Sequence, residues 1–381
     1  DGTPTVASAT CILPSTGCVG GTLSTGTFSG SGGTVSSATA TYSEAGAINL
    51  QLQDTSFASV DANDGSLPAD LTSYSNVISV GRFVPDHFVV VPGTVSPGCV
   101  IPGKTAYTYL GQDGLLTRQI LYAQNAQGVT TQNYAGLLAK LDLASYASYG
   151  FSALGMPLGS TLGSGANAPT GTWVAGVATD TLAAHVVSKP SAPAIPASLT
   201  ILGTPLDPDG VTVPAAVTLA SNQLYRHGRL KLGNTYGSPS TDIVIPVAAQ
   251  FWNGTDYVQN PDDECSSFNS NAIGFKNYTS DLTASELGAS HWVGTRWTLS
   301  KGALSLRLAR PSNGDGKCRG STDVFFNLAA DAACTTLSTS SLAMAYLQDT
   351  WSWMGASCLN PTARVTLGLE KQKFLFRREV H

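Results

Sequence analysis

The segment ALSLRLARP, residues 303–311, shows the pattern on which the fold class depends. Leu304, Leu306 and Leu308 alternate with polar residues, so every second side chain is apolar. Successive side chains of a β-strand point to opposite faces of its sheet, whereas a helix repeats its apolar positions every three to four residues. The segment therefore predicts a β-strand with one face buried.

Similar short segments occur on both sides of this one. Those with strand composition include AINLQLQ (47–53), HFVVVPG (87–93), RLKL (229–232), TDIVIPVAAQFW (241–252), DVFFNL (323–328) and RVTLGLE (364–370). Turn residues separate them, as in the Asn-Gly pair at 253–254. Many short strands separated by turns are typical of β-sandwiches.

We therefore predict an all-β protein of tandem immunoglobulin-like β-sandwich domains, with at most one or two short helices. The helix candidate is SDLTASELGA at 280–289, because an initial Ser-Asp and a later Glu match an N-terminal capping pattern. Composition divides the chain into a Gly/Ser/Thr-rich β segment with a first sandwich (1–85), a second sandwich with Pro/Ala/Gly-rich loops (86–220) and a C-terminal sandwich (221–381).

Charge is sparse and unevenly distributed. Only 12% of the 381 residues are charged, against roughly 25% in an average soluble domain. Residues 1–200 hold 5 Lys and Arg and 10 Asp and Glu, whereas residues 201–381 hold 15 of each class. A net charge of −5 disfavours nucleic-acid binding, and the sequence lacks an apolar run long enough for a membrane span. This profile is typical of an exported extracellular or cell-surface protein.

The cysteine spacing indicates disulfides in an oxidising compartment. The seven cysteines are Cys11, Cys18, Cys99, Cys265, Cys318, Cys334 and Cys358. They include no C-x-x-C pair and no histidine at zinc-ligand spacing, which disfavours a structural zinc site. We expect Cys11 to pair with Cys18 across a short loop, Cys318 with Cys334 across a hairpin-sized loop, and Cys265 with Cys358. Because seven is odd, Cys99 is the candidate for an unpaired or intermolecular thiol.

One acidic run is the metal-site candidate. Asp262, Asp263 and Glu264 lie close enough together in sequence to bind Ca²⁺ with help from Asn260, although the same run suits a solvated turn. The segment DANDG at 61–65 begins like a calcium loop, but it lacks the downstream glutamate and is read as a turn. The sequence indicates no other cofactor.

Nothing in the sequence indicates an enzyme. The nucleophile motif G-x-S-x-G does not occur, and no local signature supports a hydrolytic triad among the five histidines. We interpret His87, beside Asp86, and His227, between Arg226 and Gly228, as structural hydrogen-bonding residues. The five histidines are His87, His185, His227, His291 and His381. Tryptophans suit core packing or stacking on sugars. They are Trp173, Trp252, Trp292, Trp297, Trp351 and Trp353.

Several phrases in order resemble one family. They are YSEAG (42–46), GRFVPDHF (81–88), TTQNYAG (130–136), YRHGRLKLGNTYGS (225–238), FWNGTDYVQNPDDEC (251–265) and ARVTLGLEKQKFLFRREV (363–380). Together they resemble the C-terminal region of MshQ-like proteins, which are associated with the mannose-sensitive haemagglutinin type IV pilus of Gram-negative bacteria. The resemblance implies a secreted or surface-exposed part of a pilus system and supplies no catalytic motif.

The first hypothesis is therefore a non-enzymatic secreted or cell-surface protein of a bacterial pilus or adhesion system, whose partners are copies of itself or other surface proteins. A second is a structural subunit of an extracellular filament or sheath, assembled by strand addition through residues 1–36, by an intermolecular disulfide, or by both. A third is a carbohydrate-binding module, or a carbohydrate-active enzyme, that would use the C-terminal tryptophans and the acidic run, with glycans as partners. All three hypotheses exclude nucleic acid as a partner.

Overall fold

The structure, a computed structural model, describes residues 3–56, 58–166, 169–311, 318–330, 342–350 and 358–368. Regular structure in these ranges is almost entirely β-strand, and the helical segments are 3-10 turns of three to five residues. These turns are Ser59–Asn63, Gly136–Leu138, Tyr146–Tyr149, Ser270–Ala272, Ala289–His291 and Ala345–Leu347. No helix in the described ranges is long and apolar enough to cross a membrane. The all-β prediction is confirmed.

The helix expected at 280–289 is not formed. A capping contact forms at Thr283 rather than at the initial Ser280-Asp281 of the prediction, with the backbone N–H of Thr283 donating to Glu286 Oε2 at 2.9 Å. One helical bond follows, from the N–H of Leu287 to the carbonyl of Thr283 at 3.1 Å. Gly288 then takes an extended conformation, with φ −153°, and ends the turn. The local capping contact is therefore present, but the residues after Leu287 do not continue the helical hydrogen bonds.

The N-terminal region forms one main sheet rather than a sandwich with its own core. Its strands are β1 (Thr5–Leu13), β2 (Leu23–Ser24), β3 (Ser29–Ser31), β4 (Thr34–Ser36), β5 (Thr41–Tyr42), β6 (Gly46–Asp54), β7 (Ser73–Tyr74) and β8 (Ile78–Phe83). Strand β6 is central, with β1 on one side and β7 and β8 on the other. Among its described residues, the fully buried apolar side chains are Ala45 and Ile48. A segment so rich in Gly, Ser and Thr has too few large apolar side chains to fill a core.

The middle sandwich follows. Its strands are β9 (His87–Ser96), β10 (Thr108–Tyr109), β11 (Leu115–Gln124), β12 (Ser152–Leu154), β13 (Leu162–Ser164), β14 (Thr170–Val174), β15 (Val177–Val187), β16 (Ala197–Gly203) and β17 (Val217–Arg226). One sheet has the order β13-β15-β11-β9, with β14 also on β15, and the other has the order β10-β17-β16-β12. Phe88 and Leu121 of the first sheet share one buried cluster with Ile201 and Tyr225 of the second. The two sheets therefore pack face to face.

The C-terminal sandwich repeats this plan. Its strands are β18 (Gly228–Leu232), β19 (Thr235–Gly237), β20 (Ile243–Trp252), β21 (Tyr257–Gln259), β22 (Ser267–Asn269), β23 (Ile273–Lys276), β24 (Arg296–Thr298), β25 (Ala303–Leu308), β26 (Gly320–Phe326) and β27 (Thr362–Leu367). Strand β20 pairs with β18, β21 and β25, and the facing sheet has the order β19-β27-β26-β23. Leu306 and Leu308 of β25 are buried against Phe326 and Val365 of the facing sheet. The alternation predicted for residues 303–311 is therefore the inner face of a sandwich.

The two sandwiches are joined by a very short connection. Strand β17 ends at Arg226 and β18 begins at Gly228, so His227 alone separates them. Strand β17 also runs through residue 220, at which composition places the end of the second domain. Such a connection brings the ends of the two sandwiches together, and we call their contact the junction.

Candidate functional site: the junction

A disulfide joins the two sandwiches at the junction. Cys99 follows β9 in the middle sandwich, and Cys265 precedes β22 in the C-terminal sandwich. Their Cα atoms lie 5.7 Å apart although 166 positions separate them in sequence. The expectation that Cys99 is unpaired is therefore wrong, and so is the Cys265–Cys358 pair. Sequence spacing cannot show this bond, because docking of the two domains brings its halves together.

The other cysteines lie away from this bond. Cys11 and Cys18 form the disulfide that their spacing predicts, with Cα atoms 5.9 Å apart. Cys358 is also disulfide-bonded. Cys318 is buried at 1% exposure. The predicted Cys318–Cys334 pair involves Cys334, which lies outside the described residues.

The acidic run predicted as a calcium site lies at the junction, and Asp263 is fully buried there. Its Oδ2 accepts hydrogen bonds from the hydroxyls of Tyr109 and Ser266, both at 2.9 Å. Its Oδ1 accepts from the backbone N–H groups of Cys265 at 3.2 Å and Ser266 at 3.0 Å. Because Tyr109 belongs to the middle sandwich, Asp263 connects the two domains.

Asp262 pairs with the arginine that ends the middle sandwich. Arg226 Nη2 lies 2.8 Å from Asp262 Oδ2, and Nη1 contacts Asn260 Oδ1. The guanidinium lies over two aromatic rings, 4.8 Å from the centroid of Tyr107 and 4.7 Å from that of Phe251. A buried charge is stabilised when it is both paired and hydrogen-bonded, and this pair meets both conditions.

Glu264 completes the run with weaker contacts. Its Oε1 lies 3.9 Å from Lys104 Nζ and accepts the Lys301 N–H at 3.3 Å. The three carboxylates thus have separate protein partners. Nowhere in the described ranges do three or more His, Cys, Asp or Glu side chains form a group that could hold a metal ion. The run connects domains in this structure, as part of a turn.

Lys189 gives the junction a second polar contact. Its Nζ donates to the carbonyl oxygens of Gly228 at 2.6 Å, Tyr346 at 3.1 Å and Gln348 at 2.6 Å. All three acceptors belong to the C-terminal sandwich, whereas Lys189 follows β15 of the middle one. Burial lowers the pKa of the Lys189 ammonium to about 8. Sequence analysis missed this residue, whose one available signal is a lone lysine in a Pro/Ser/Ala-rich stretch.

The described histidines do not form an accessible catalytic group. His185 has Thr117 Oγ1 2.8 Å from Nε2 and the Tyr146 hydroxyl 2.9 Å from Nδ1, an order of groups that resembles a nucleophile, base and orienting residue. Thr117 and His185 are both 0% exposed, so a substrate has no route to them. Burial lowers the pKa of His185 to about 4, which keeps the ring neutral at pH 7.

The remaining histidines are separate from one another. His87 pairs with its neighbour Asp86 at 2.9 Å. His227 is buried at the junction, and burial lowers its pKa to about 4. His291 Nδ1 accepts the N–H of Gly288 at 3.2 Å. His381 lies outside the described residues.

The described tryptophans mostly serve packing. Trp173 stacks on Phe88 at 5.9 Å in the middle sandwich. Trp292 and Trp297 pack against the C-terminal core, and Trp252 meets Tyr257 edge to face. The candidates Trp351 and Trp353 fall in a range that the structure does not describe. The rings of these four described tryptophans therefore pack against other side chains of the protein.

Several solved structures match the chain. One of them is FdeC, titled a novel, broadly conserved Escherichia coli adhesin eliciting protection against urinary tract infections. The alignment has 14% sequence identity and a TM-score of 0.33, and it covers 96% of this chain and 85% of that one. A score this low carries no argument about fold or function. No curated protein matches the chain in sequence.

Family models give a clear match. The model of DUF6701, third domain, matches residues 44–225, and that of DUF6701, fourth domain, matches residues 226–380. Their shared boundary falls at the last residue of β17, Arg226, where the junction begins. The chain belongs to the DUF6701 family and carries its third and fourth domains.

Proposed function

We propose that this chain is a non-enzymatic secreted or cell-surface protein whose two sandwiches form one force-transmitting unit of a bacterial pilus or adhesion system. The observation that carries the proposal is the junction, where the Cys99–Cys265 disulfide covalently joins the domains. Disulfides persist in oxidising compartments outside the cytosol. Domains of one chain usually move relative to each other unless their interface is large or fixed. A covalent bond across the junction suits a protein that must keep its domains together under load.

The polar contacts support the same reading. Asp263 and Lys189 each reach across the junction from a buried position, so separating the domains would expose unpaired polar groups. The inaccessibility of the Thr117–His185 pair supports a function without catalysis. The low charge of residues 1–200 and the resemblance to MshQ-like proteins support an exported pilus-associated role in a Gram-negative bacterium.

Protease accessibility on intact cells tests this proposal. We expect external protease to remove the protein, and alkylation under denaturing, non-reducing conditions to leave Cys99 and Cys265 unlabelled. A cytosolic control protein must survive the same treatment. Retention of the chain in the cytosol with reduced cysteines would overturn the proposal.

A second candidate, a filament or sheath subunit, is favoured by one feature of the N-terminal sheet. Strand β1 is already paired with β6 of its own chain and has no second partner strand among the described residues. Its sequence TVASATCIL is without charge or proline, two of the features that usually protect an edge strand, and the register shifts in its pairing with β6 leave Ser8–Cys11 as a regular stretch. We propose that this edge would accept a strand of a second molecule.

Lysine substitutions test strand addition without removing β1. Ser8→Lys and Thr10→Lys place charges at exposed positions of this strand, and a matched control, Ser29→Lys, charges an exposed strand outside the main sheet. We expect the β1 variants to abolish polymers seen by negative-stain microscopy and the control to keep them. Polymers that persist in both β1 variants would refute assembly through this edge.

A further inference from the structure

We infer that a groove between the N-terminal region and the middle sandwich binds a neutral oligosaccharide. Two adjoining cavities of about 480 Å³ each meet at Tyr42. We call them together the Tyr42 groove, lined by Tyr42, Phe83, Asp86, Asn125, Gln127 and Asp209. The inference deepens the proposed surface function by naming a ligand class, and it rests on that function for its biological setting.

The floor of the groove is aromatic and held in place. The rings of Tyr42 and Phe83 have centroids 4.9 Å apart and are tilted by 39°. The Gly21 N–H donates to the Tyr42 hydroxyl at 2.7 Å. A Cβ at position 21 would lie 2.9 Å from Tyr42 Cζ, so this close approach requires glycine. A fixed, half-buried aromatic surface beside water suits ligands with both apolar and polar faces, as sugar rings have.

One wall of the groove is also preformed. Asn125 is buried, and its Nδ2 donates to the carbonyl of Ser43 at 2.9 Å. Its Oδ1 accepts from the N–H groups of Gln127 and Val129, both at 3.0 Å. The loop that carries Gln127 is therefore shaped before any ligand arrives. Preformed sites bind more tightly because less ordering is needed on binding.

Polar groups that remain available project from this frame. The Asp86 side chain is 58% exposed, and its Oδ2 lies 2.9 Å from His87 Nδ1, which leaves its other oxygen for a ligand. The exposed Gln127 side chain makes no hydrogen bond within the described part of the chain. A carboxylate accepts hydrogen bonds from hydroxyls, and an amide both donates and accepts. This combination above an aromatic floor matches the hydroxyl groups and C–H faces of a sugar.

The charge of the groove selects against anions. Asp86 and Asp209 contribute carboxylates, and the nearby cation Arg82 is already paired with Asp209. Glu44 lines the adjoining cavity, where its oxygens already accept the N–H groups of Ala45 and Gln132, among others. A sialylated glycan or a nucleic acid would meet negative charge, and neither Lys nor Arg is among the described residues that line the two cavities. A neutral oligosaccharide meets none of this repulsion.

The test uses the purified chain on an array of neutral, amino and sialylated glycans, followed by calorimetry with the strongest neutral binder. We expect Asp86→Ala and Gln127→Ala each to weaken binding at least tenfold. Because both side chains are exposed, thermal melts should confirm intact folds. The matched controls, Asp281→Ala and Tyr236→Ala, change exposed residues of the C-terminal sandwich and should leave affinity unchanged.

Two outcomes would overturn the inference. One is an array without any neutral glycan bound, and the other is a neutral binder whose affinity is the same for the groove variants and the wild type. Preferential binding of sialylated glycans would also contradict the charge argument. None of these results bears on protease accessibility of intact cells, so failure of the groove and failure of the surface location are distinguishable.

Discussion

Removal of the junction disulfide provides the sharpest test of how the two sandwiches are held together. The change is Cys99→Ser with Cys265→Ser, which leaves neither partner as an unpaired thiol. The bond closes a loop of 166 residues. Chain-entropy arithmetic for such a loop gives a stabilisation of about 5 kcal/mol at 25 °C. Residual structure in the unfolded chain makes this figure an upper estimate.

The matched control is the short disulfide of the N-terminal region. Cys11 and Cys18 are separated by 7 positions, for which the same arithmetic gives about 2 kcal/mol. Comparison of Cys11→Ser/Cys18→Ser with the junction variant therefore isolates the contribution of loop length. Both variants remove one disulfide and add two hydroxyl groups.

The assay is guanidinium unfolding of both double variants and the wild type without reductant, followed by circular dichroism of the β-structure, because residues 1–86 contain no tryptophan. We expect the junction variant to lose more than twice as much free energy of unfolding as the control. We also expect the two sandwiches to unfold in separate transitions once the bond is gone. Equal losses in the two variants, or a single unchanged transition in the junction variant, would refute the claim that the covalent bond couples the domains.

Three further predictions concern buried groups. Lys189→Met leaves three backbone carbonyls without their donor. We expect this change to lower the free energy of unfolding, measured by urea titration, by roughly 3 kcal/mol. An unchanged unfolding midpoint would contradict the hydrogen bonds of Lys189 across the junction. Burial lowers the His185 pKa from 6.5 to about 4, so the unfolded state binds the proton more readily and stability should fall by up to roughly 3 kcal/mol as pH drops from 6.5 to 4. Thermal melts across that range should show that the melting temperature of His185→Gln depends less steeply on pH than that of the wild type. An equal pH dependence would refute the lowered pKa of His185 as the cause. Phe326→Ala removes a fully buried core ring and should cost about 3–5 kcal/mol, whereas Tyr236→Ala, at 68% exposure, should stay within about 0.5 kcal/mol of wild type by the same melts.

The local sequence pattern was sufficient to predict the strands, because the alternation of side chains along a strand is a property of adjacent residues. Residues 303–311 show this, since the alternating leucines of the sequence are the inward side chains of β25. The same local reasoning predicts the Cys11–Cys18 pair, whose partners are close in sequence. It was wrong for the helix at 280–289, where a capping contact forms at Thr283 instead of the predicted start and the chain extends after one turn.

The sequence by itself determined the all-β class, the position of the acidic run and the scarcity of charge in the N-terminal half. Only the tertiary structure decided what the acidic run does, because the Tyr109 and Arg226 side chains that contact it come from another domain. The same holds for the Cys99–Cys265 bond and the Tyr42 groove. Each depends on residues far apart in the chain, and their distance is set by domain docking rather than by sequence spacing.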